Sequence, residues 1–184
     1  MSATATPPRP APLDSPREGG AGRPDGPMTW EDVCAHPALQ DLPFKVEQDR
    51  YGRIVMSPPF ARHARLQYKI ARMLEDALGG VPATEAPVET RDGVKVPDVV
   101  WMSDEFAAEH AEATVYRVAP DVCVEVMSRS NSWAEMSEKV TLYLARGAQE
   151  VWVCEADGRL RFFGHEGERE RSVLAPDAPV TVTL

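Results

Sequence analysis

Several things are scarce in this chain, and each scarcity removes a class of protein. Its cysteines are Cys34, Cys123 and Cys154. They are odd in number and form no CxxC pair, so the sequence offers neither a disulfide framework nor a cysteine zinc site, and the thiols read as reduced. Cys123 and Cys154 sit in apolar runs, where a free cysteine packs as a small core residue. No apolar run nears the ~20 residues of a membrane-spanning helix; the run 96–102, for example, is broken by Pro97 and Asp98. The opening MSATATPPRPAPLDSPREGG has no apolar centre of the kind a secretory signal needs, so a cytoplasmic location is expected. Basic residues are outnumbered, 20 Lys and Arg against 29 Asp and Glu, which gives a formal net charge of −9. That counts against nucleic-acid binding through overall charge. It leaves room for a local basic patch beside a carboxylate site. The sequence contains no P-loop, no GxGxxG and no internal repeat, and His36, His110 and His165 have no ligand spacing.

What is present suits one domain plus a tail. Of 184 residues, 43% are hydrophobic and 27% charged, a balance that supports a single buried core. Seven of the 17 prolines fall within residues 1–27, with almost nothing to bury, so 1–27 is expected to be a disordered tail and 28–184 the folded domain.

Patterning within 28–184 alternates between helix and strand. Thr29 with Asp32 makes an approximate capping box for a short helix that ends at Pro37. Residues 44–59 read as a hairpin turning at 49–52. From 61 to 78, Leu66, Ile70, Leu74 and Leu78 form one apolar stripe, stopped by Gly79 and Gly80. Arg62, Arg65, Lys69 and Arg72 lie off that stripe on one face. They read either as a solvated face or as a phosphate-contacting, nucleic-acid-binding one. Strand-like segments follow, turning at Arg91-Asp92-Gly93, and the acidic 103–116 is expected to be partly helical. DVCVEVMS is a β-prone central strand. Asn131 or Ser132 caps a second long helix that Gly147 ends. A strand follows at 150–155, then a hairpin through Asp157-Gly158 and an edge strand at PVTVTL. The expected class is α+β, a mixed α/β domain around a mixed sheet.

Three polar residues sit where this patterning disfavours them. Asp98 interrupts VPDVVWM and Glu125 sits within VCVEVM, where an unpaired carboxylate is costly. Lys139 lies beside the buried stripe of its helix rather than opposite it. Carboxylates on neighbouring strands, ~4.8 Å apart, make a hard oxygen site for Mg²⁺ or Mn²⁺, to which the backbone carbonyl of Val126 adds a possible ligand. A nearby lysine then orients or deprotonates water, or stabilises charge on a phosphate.

The segment PDVVWMS at 97–103, followed by PDVCVEVMSRSNSWAEMSEKVTLYLARGAQEVWV at 120–153, resembles the bacterial restriction-endonuclease-like (Uma-type) family of the PD-(D/E)xK nuclease superfamily. The match runs through Glu125, Val126, Ser128, Ser130, Asn131, Lys139, Tyr143, Gly147, Glu150 and Trp152 in order. It extends more loosely over 28–184, and the tail stays outside it. The resemblance implies a restriction-endonuclease-like αβββαβ core: helix 61–78, strands near 83–90, 94–102 and 121–127, helix 132–146 and strand 150–155. It implies Asp98 and Glu125 as metal-binding catalytic acids. Lys139 stands in for the superfamily's strand lysine, whose position is Met127 here. Glu85, Glu89 and Glu75 are secondary ligand candidates, with Asp121 a minor one. It further implies a Mg²⁺- or Mn²⁺-dependent endonuclease acting on DNA, with a homodimer as the natural way to cut two strands.

Blander readings stand beside these. Asp98 closes a turn after Pro97, and Asp121, also after a proline, is read first as a turn residue. Glu125 and Lys139 form a structural pair, or Lys139 pairs with Glu135 on the helix surface. His63 is read as a helix-start residue rather than a site contact, and the segment 128–131 as a helix entry without a nucleophile. Trp101, Trp133 and Trp152 read as core or interface. The rival function is a catalytically inactive fold that binds nucleic acid or protein; a third is hydrolysis of another phosphodiester such as RNA.

Overall fold

The computed structural model describes residues 28–128 and 131–184; the expected tail, 1–27, lies outside the described residues, as do Arg129 and Ser130. In chain order the helices are α1 (Trp30–Ala35), α2 (Ala61–Leu78), α3 (Asp104–Glu109) and α4 (Trp133–Ala145). The strands are β1 (Lys45–Gln48), β2 (Ile54–Ser57), β3 (Val81–Thr84), β4 (Val88–Thr90), β5 (Gly93–Lys95), β6 (Val99–Met102), β7 (Val122–Val126), β8 (Glu150–Cys154), β9 (Leu160–Gly164) and β10 (Gly167–Arg169). The α+β expectation holds.

Six strands form the main sheet in the order β10-β9-β8-β7-β6-β3. Only β7 and β8 pair in parallel, and α4 makes the crossover between them. Both strands are buried along their whole length, which explains their near-continuous apolar sequences. The apolar stripe of α2 (Leu66, Ile70, Leu74) packs on one face against Val99, Val122, Val124 and Trp152. Each such buried side chain contributes roughly 1.5–3 kcal/mol. On the other face Met136, Val140 and Tyr143 of α4 cover Val100, Cys123, Val151 and Val153.

Three expected strands differ, the first being 94–102, which divides into β5, in a separate two-stranded sheet, and β6, in the main sheet. The segment 83–90 divides: β3 joins the main sheet, while β4 pairs with β5 in a separate two-stranded sheet. The break falls at Glu85, whose φ of 54° takes the chain out of extended conformation. PVTVTL forms only an isolated bridge between Thr181 and Arg159 rather than an edge strand. The sheet continues past β9 with β10, which the polar sequence GER does not advertise.

The hairpin β1–β2 stands apart from the main sheet and is seated by a close approach. Gly93 has φ 84°, and a Cβ there would lie 2.3 Å from the Gln48 carbonyl oxygen. Only glycine fits that contact. Arg50 of the hairpin turn adds an ion pair to Asp92 at 2.5 Å. No helix among the described residues is long and apolar enough to cross a membrane.

Candidate active site

Strand register brings the two sequence-disfavoured carboxylates together. β6 and β7 pair Val99 with Val124, and Asp98, just before β6, lies beside the end of β7, where Glu125 lines the same cavity. Both are buried, 2% and 3% exposed. Glu125 shares a strand face with Cys123, so it points toward α4. There Tyr143 Oη donates to Glu125 Oε1 at 2.7 Å and Lys139 Nζ donates to the same oxygen at 3.1 Å. Lys139 is free to turn inward because Glu135, its alternative partner, is engaged in a capping box with Ser132.

Asp98 is held from three sides. Lys45 Nζ donates to Oδ1 at 2.5 Å, His63 Nε2 lies 3.1 Å from Oδ2, and the Val126 amide donates to Oδ2 at 2.7 Å. His63 is thus both an opening residue of α2 and a site contact, which corrects the expectation that it only starts the helix. An imidazole is long enough to reach the end of β6 from the first turn.

Lys45 and Glu47 are the residues that sequence reasoning missed. Glu47 Oε1 accepts from Lys139 Nζ at 2.8 Å and from the Val96 amide at 3.0 Å, and lies 4.0 Å from Lys45 Nζ. The result is a run of alternating charge, Asp98, Lys45, Glu47, Lys139, Glu125, that crosses from the sheet to the hairpin and back. Alternation in KVEQ was the available signal: position 45 and position 47 fall on one face of a strand.

The electrostatics follow from burial and neighbours. Burial pushes Asp98 up, but the Lys45 ammonium and the His63 contact outweigh it and hold the carboxyl well below its ordinary value. Glu47 is likewise lowered, because Lys139 and Lys45 outweigh its burial. Glu125 goes the other way: burial raises it, and Lys139 and Lys45 do not fully compensate. Burial alone would lower both lysines, yet the surrounding carboxylates raise them. Both ammonium groups therefore stay charged at neutral pH, and neither serves as a proton acceptor there.

These residues line a cavity of about 310 Å³, with Lys45, Glu47, His63, Glu85, Asp98, Glu125 and Lys139 in its wall. Of the secondary candidates, only Glu85 is there, exposed on the rim. Glu89 is exposed and pairs with Arg117 at 3.7 Å, and Glu75 is exposed on α2 outside the cavity. Asp121 lies at the far end of β7, where it accepts from the Ser103 amide at 2.8 Å and Gln149 at 2.6 Å; that is the turn role. Arg62, Arg65, Lys69 and Arg72 are all exposed along α2. Arg62 donates to the Ala156 carbonyl at 2.9 Å, Lys69 donates to the Thr183 carbonyl, and Arg72 lies 3.5 Å from Asp76. Arg65 has no such partner among the described residues.

Among the described residues no group of three His, Cys, Asp or Glu side chains is arranged as a ready-made metal cluster. The donor chemistry nonetheless fits a hard divalent cation. Among the described residues Glu125 Oε2 has no hydrogen-bond partner, although the carboxylate is buried in the cavity wall. The carboxylates of Asp98, Glu47 and Glu125 face the ammonium groups of Lys45 and Lys139 there.

Comparison with known proteins agrees with this architecture. A family model described as Uma2, "Putative restriction endonuclease", matches residues 30–183. A solved structure described as a "putative nuclease belonging to DUF820" from Anabaena variabilis ATCC 29413 shares 15% identity, with a TM-score of 0.66 over 84% of this chain and 95% of that one. At that identity the likeness is one of fold. No curated protein matches the chain.

Proposed function

The chain belongs to the Uma2 restriction-endonuclease family, and from that premise we propose that it is a metal-dependent endonuclease hydrolysing phosphodiester bonds of DNA. The observation that carries this reading is that Asp98 and Glu125 share one cavity with two lysines that the surrounding carboxylates hold charged at neutral pH. Restriction-endonuclease-like nucleases generally use divalent metals. Asp98 and Glu125 would hold Mg²⁺ or Mn²⁺, which supplies neutralisation of phosphate charge and a more acidic attacking water.

The chain's own residues account for the rest. Lys139 and Lys45 present fixed positive charge to the phosphate oxygens, where negative charge grows as water attacks. His63 and the Val126 amide fix the orientation of Asp98, and Tyr143 fixes that of Glu125. Pre-set orientation of this kind spares reorganisation during the reaction. A double-strand cut would take two such sites, hence two copies of the chain.

One observation favours a second reading, a fold that binds nucleic acid or protein without cutting it: the five charges already satisfy one another inside the protein. The deciding experiment incubates the protein with supercoiled plasmid and with single-stranded DNA in Mn²⁺, Mg²⁺ or EDTA, beside Glu125→Ala and Lys139→Ala. Metal-dependent nicking that falls by ~10²-fold or more in both variants supports the nuclease. No cleavage by folded wild type in any metal supports the binding module.

A further inference from the structure

A second cavity opens beside the carboxylate site, and we propose that it receives an unpaired nucleobase of the strand whose phosphate lies at Asp98 and Glu125. This rests on the nuclease reading above and names the part of the substrate that the site holds. The cavity measures about 630 Å³ and is lined among the described residues by Phe60, Arg62, Leu66, Met127 and Ala156, with His63 at its inner wall. Pockets of roughly 300–1,000 Å³ are the usual size for small organic ligands.

Its character is the opposite of its neighbour's. The carboxylate cavity is charged; this one is mostly apolar, with His63, Ser128 and Arg62 as its polar lining and Arg62 held by the Ala156 carbonyl at 2.9 Å. Phe60, His63, Val126 and Ser128 belong to the walls of both. A ligand filling the pair must therefore join an anionic group directly to a flat, weakly polar one. A nucleotide has that construction. Phe60 is 55% exposed although it is a large aromatic, and a base stacked on such a ring gains affinity whatever its sequence. Phe60 also precedes α2 without any side-chain cap, so the first amides of an 18-residue helix remain open toward an adjoining phosphate. A paired base cannot enter, because its partner strand blocks it; the site selects single-stranded or locally opened DNA.

Fluorescence anisotropy in EDTA, where a metal-dependent enzyme does not cut, tests this. The probes are a labelled single strand, the same strand with abasic sites, and its duplex. Wild type should bind the intact strand roughly tenfold more tightly than the abasic strand or the duplex. Phe60→Ala and Ala156→Trp alter exposed positions, and should reduce intact-strand affinity to the abasic level while leaving abasic binding and the thermal midpoint unchanged. Equal affinity for intact and abasic strands, or an equal loss on both in the variants, overturns the base pocket and leaves the nuclease reading standing. Absence of binding to all three probes overturns the base pocket too, and the plasmid assay then separately decides the nuclease reading.

Discussion

Lys45 Nζ lies 2.5 Å from Asp98 Oδ1, although 53 residues separate the two in the chain. The pair joins the detached hairpin to the central sheet beside the buried carboxylates of Asp98 and Glu125. Lys45→Met should leave Asp98 anionic with only His63 and the Val126 amide, destabilising the metal-free protein by roughly 3 kcal/mol. It should also strengthen Mn²⁺ binding, because the ammonium no longer competes for the carboxylate. Urea denaturation and titration calorimetry with Mn²⁺ measure the two effects, and weaker Mn²⁺ binding would contradict the argument.

Gly93→Ala should unseat the hairpin. The substitution places a Cβ against the Gln48 carbonyl at a φ of 84°, costing at least about 1 kcal/mol. Nicking should fall with it, since Lys45 and Glu47 leave the cavity together. Wild-type nicking by a destabilised Gly93→Ala protein would show that the hairpin is dispensable for cutting.

Acid sensitivity should trace to Asp98. Its carboxyl is depressed below the ordinary 3.8, so its contribution is complete above that pH and disappears as pH falls further. Glu47 acts in the same sense from 4.5 downward. Glu125, raised above 4.5, opposes both: protonation favours its folded form, and its contribution is lost as pH rises. The lysines, raised above 10.5, stabilise up to that pH and lose their effect beyond it. Stability measured by urea should therefore fall below pH 3.8 in wild type and less steeply in Asp98→Asn.

Among the described residues Arg65 is the α2 arginine without a charged or hydrogen-bonding partner, whereas Arg62, Lys69 and Arg72 have partners. If α2 follows a phosphate backbone, Arg65→Gln should lower the slope of log affinity against log salt by ~1. Arg72→Gln should change it less, because Asp76 already offsets that charge. Equal slopes for Arg65→Gln and wild type would remove Arg65 from the interface.

Glu150 offers a control far from the cavity. It is 1% exposed and accepts from Trp152 Nε1 at 2.9 Å, Ser172 Oγ at 2.6 Å and the Val173 amide at 2.6 Å. Glu150→Ala strands these donors together with the Leu174 amide and Arg169, and should cost about 3 kcal/mol or more. Chemical denaturation should register that loss while nicking per folded molecule holds at the wild-type level.

Local pattern carried a large part of this fold. The 61–78 helix, the 49–52 turn, the Thr29 capping box and the buried β7 and β8 strands were all legible, since each depends on residues close in sequence. Asp98, Glu125 and Lys139 were legible for a related reason, as each breaks an apolar pattern. Lys45 and Glu47 broke none: alternating charge is ordinary for a surface hairpin, and only long-range docking turns that face inward. The division of 83–90 was hidden because a left-handed φ at Glu85 gives no compositional sign. PVTVTL has strand composition, but its pairing is confined to one bridge, Thr181 with Arg159, flanked by backbone hydrogen bonds to Leu160 and Gly158, too short a ladder to make a strand.

The hairpin lends the cavity one lysine and one glutamate, so these two add nothing to the cavity's summed charge. A shortened chain beginning at Ala61 would retain both core acids and Lys139, and the sum over these cavity groups would be the same. What would change is the order of signs in space, with Asp98 and Glu125 left to share a single ammonium. A phosphate arriving at the mouth of such a cavity would meet the same two core acids with one ammonium fewer beside them.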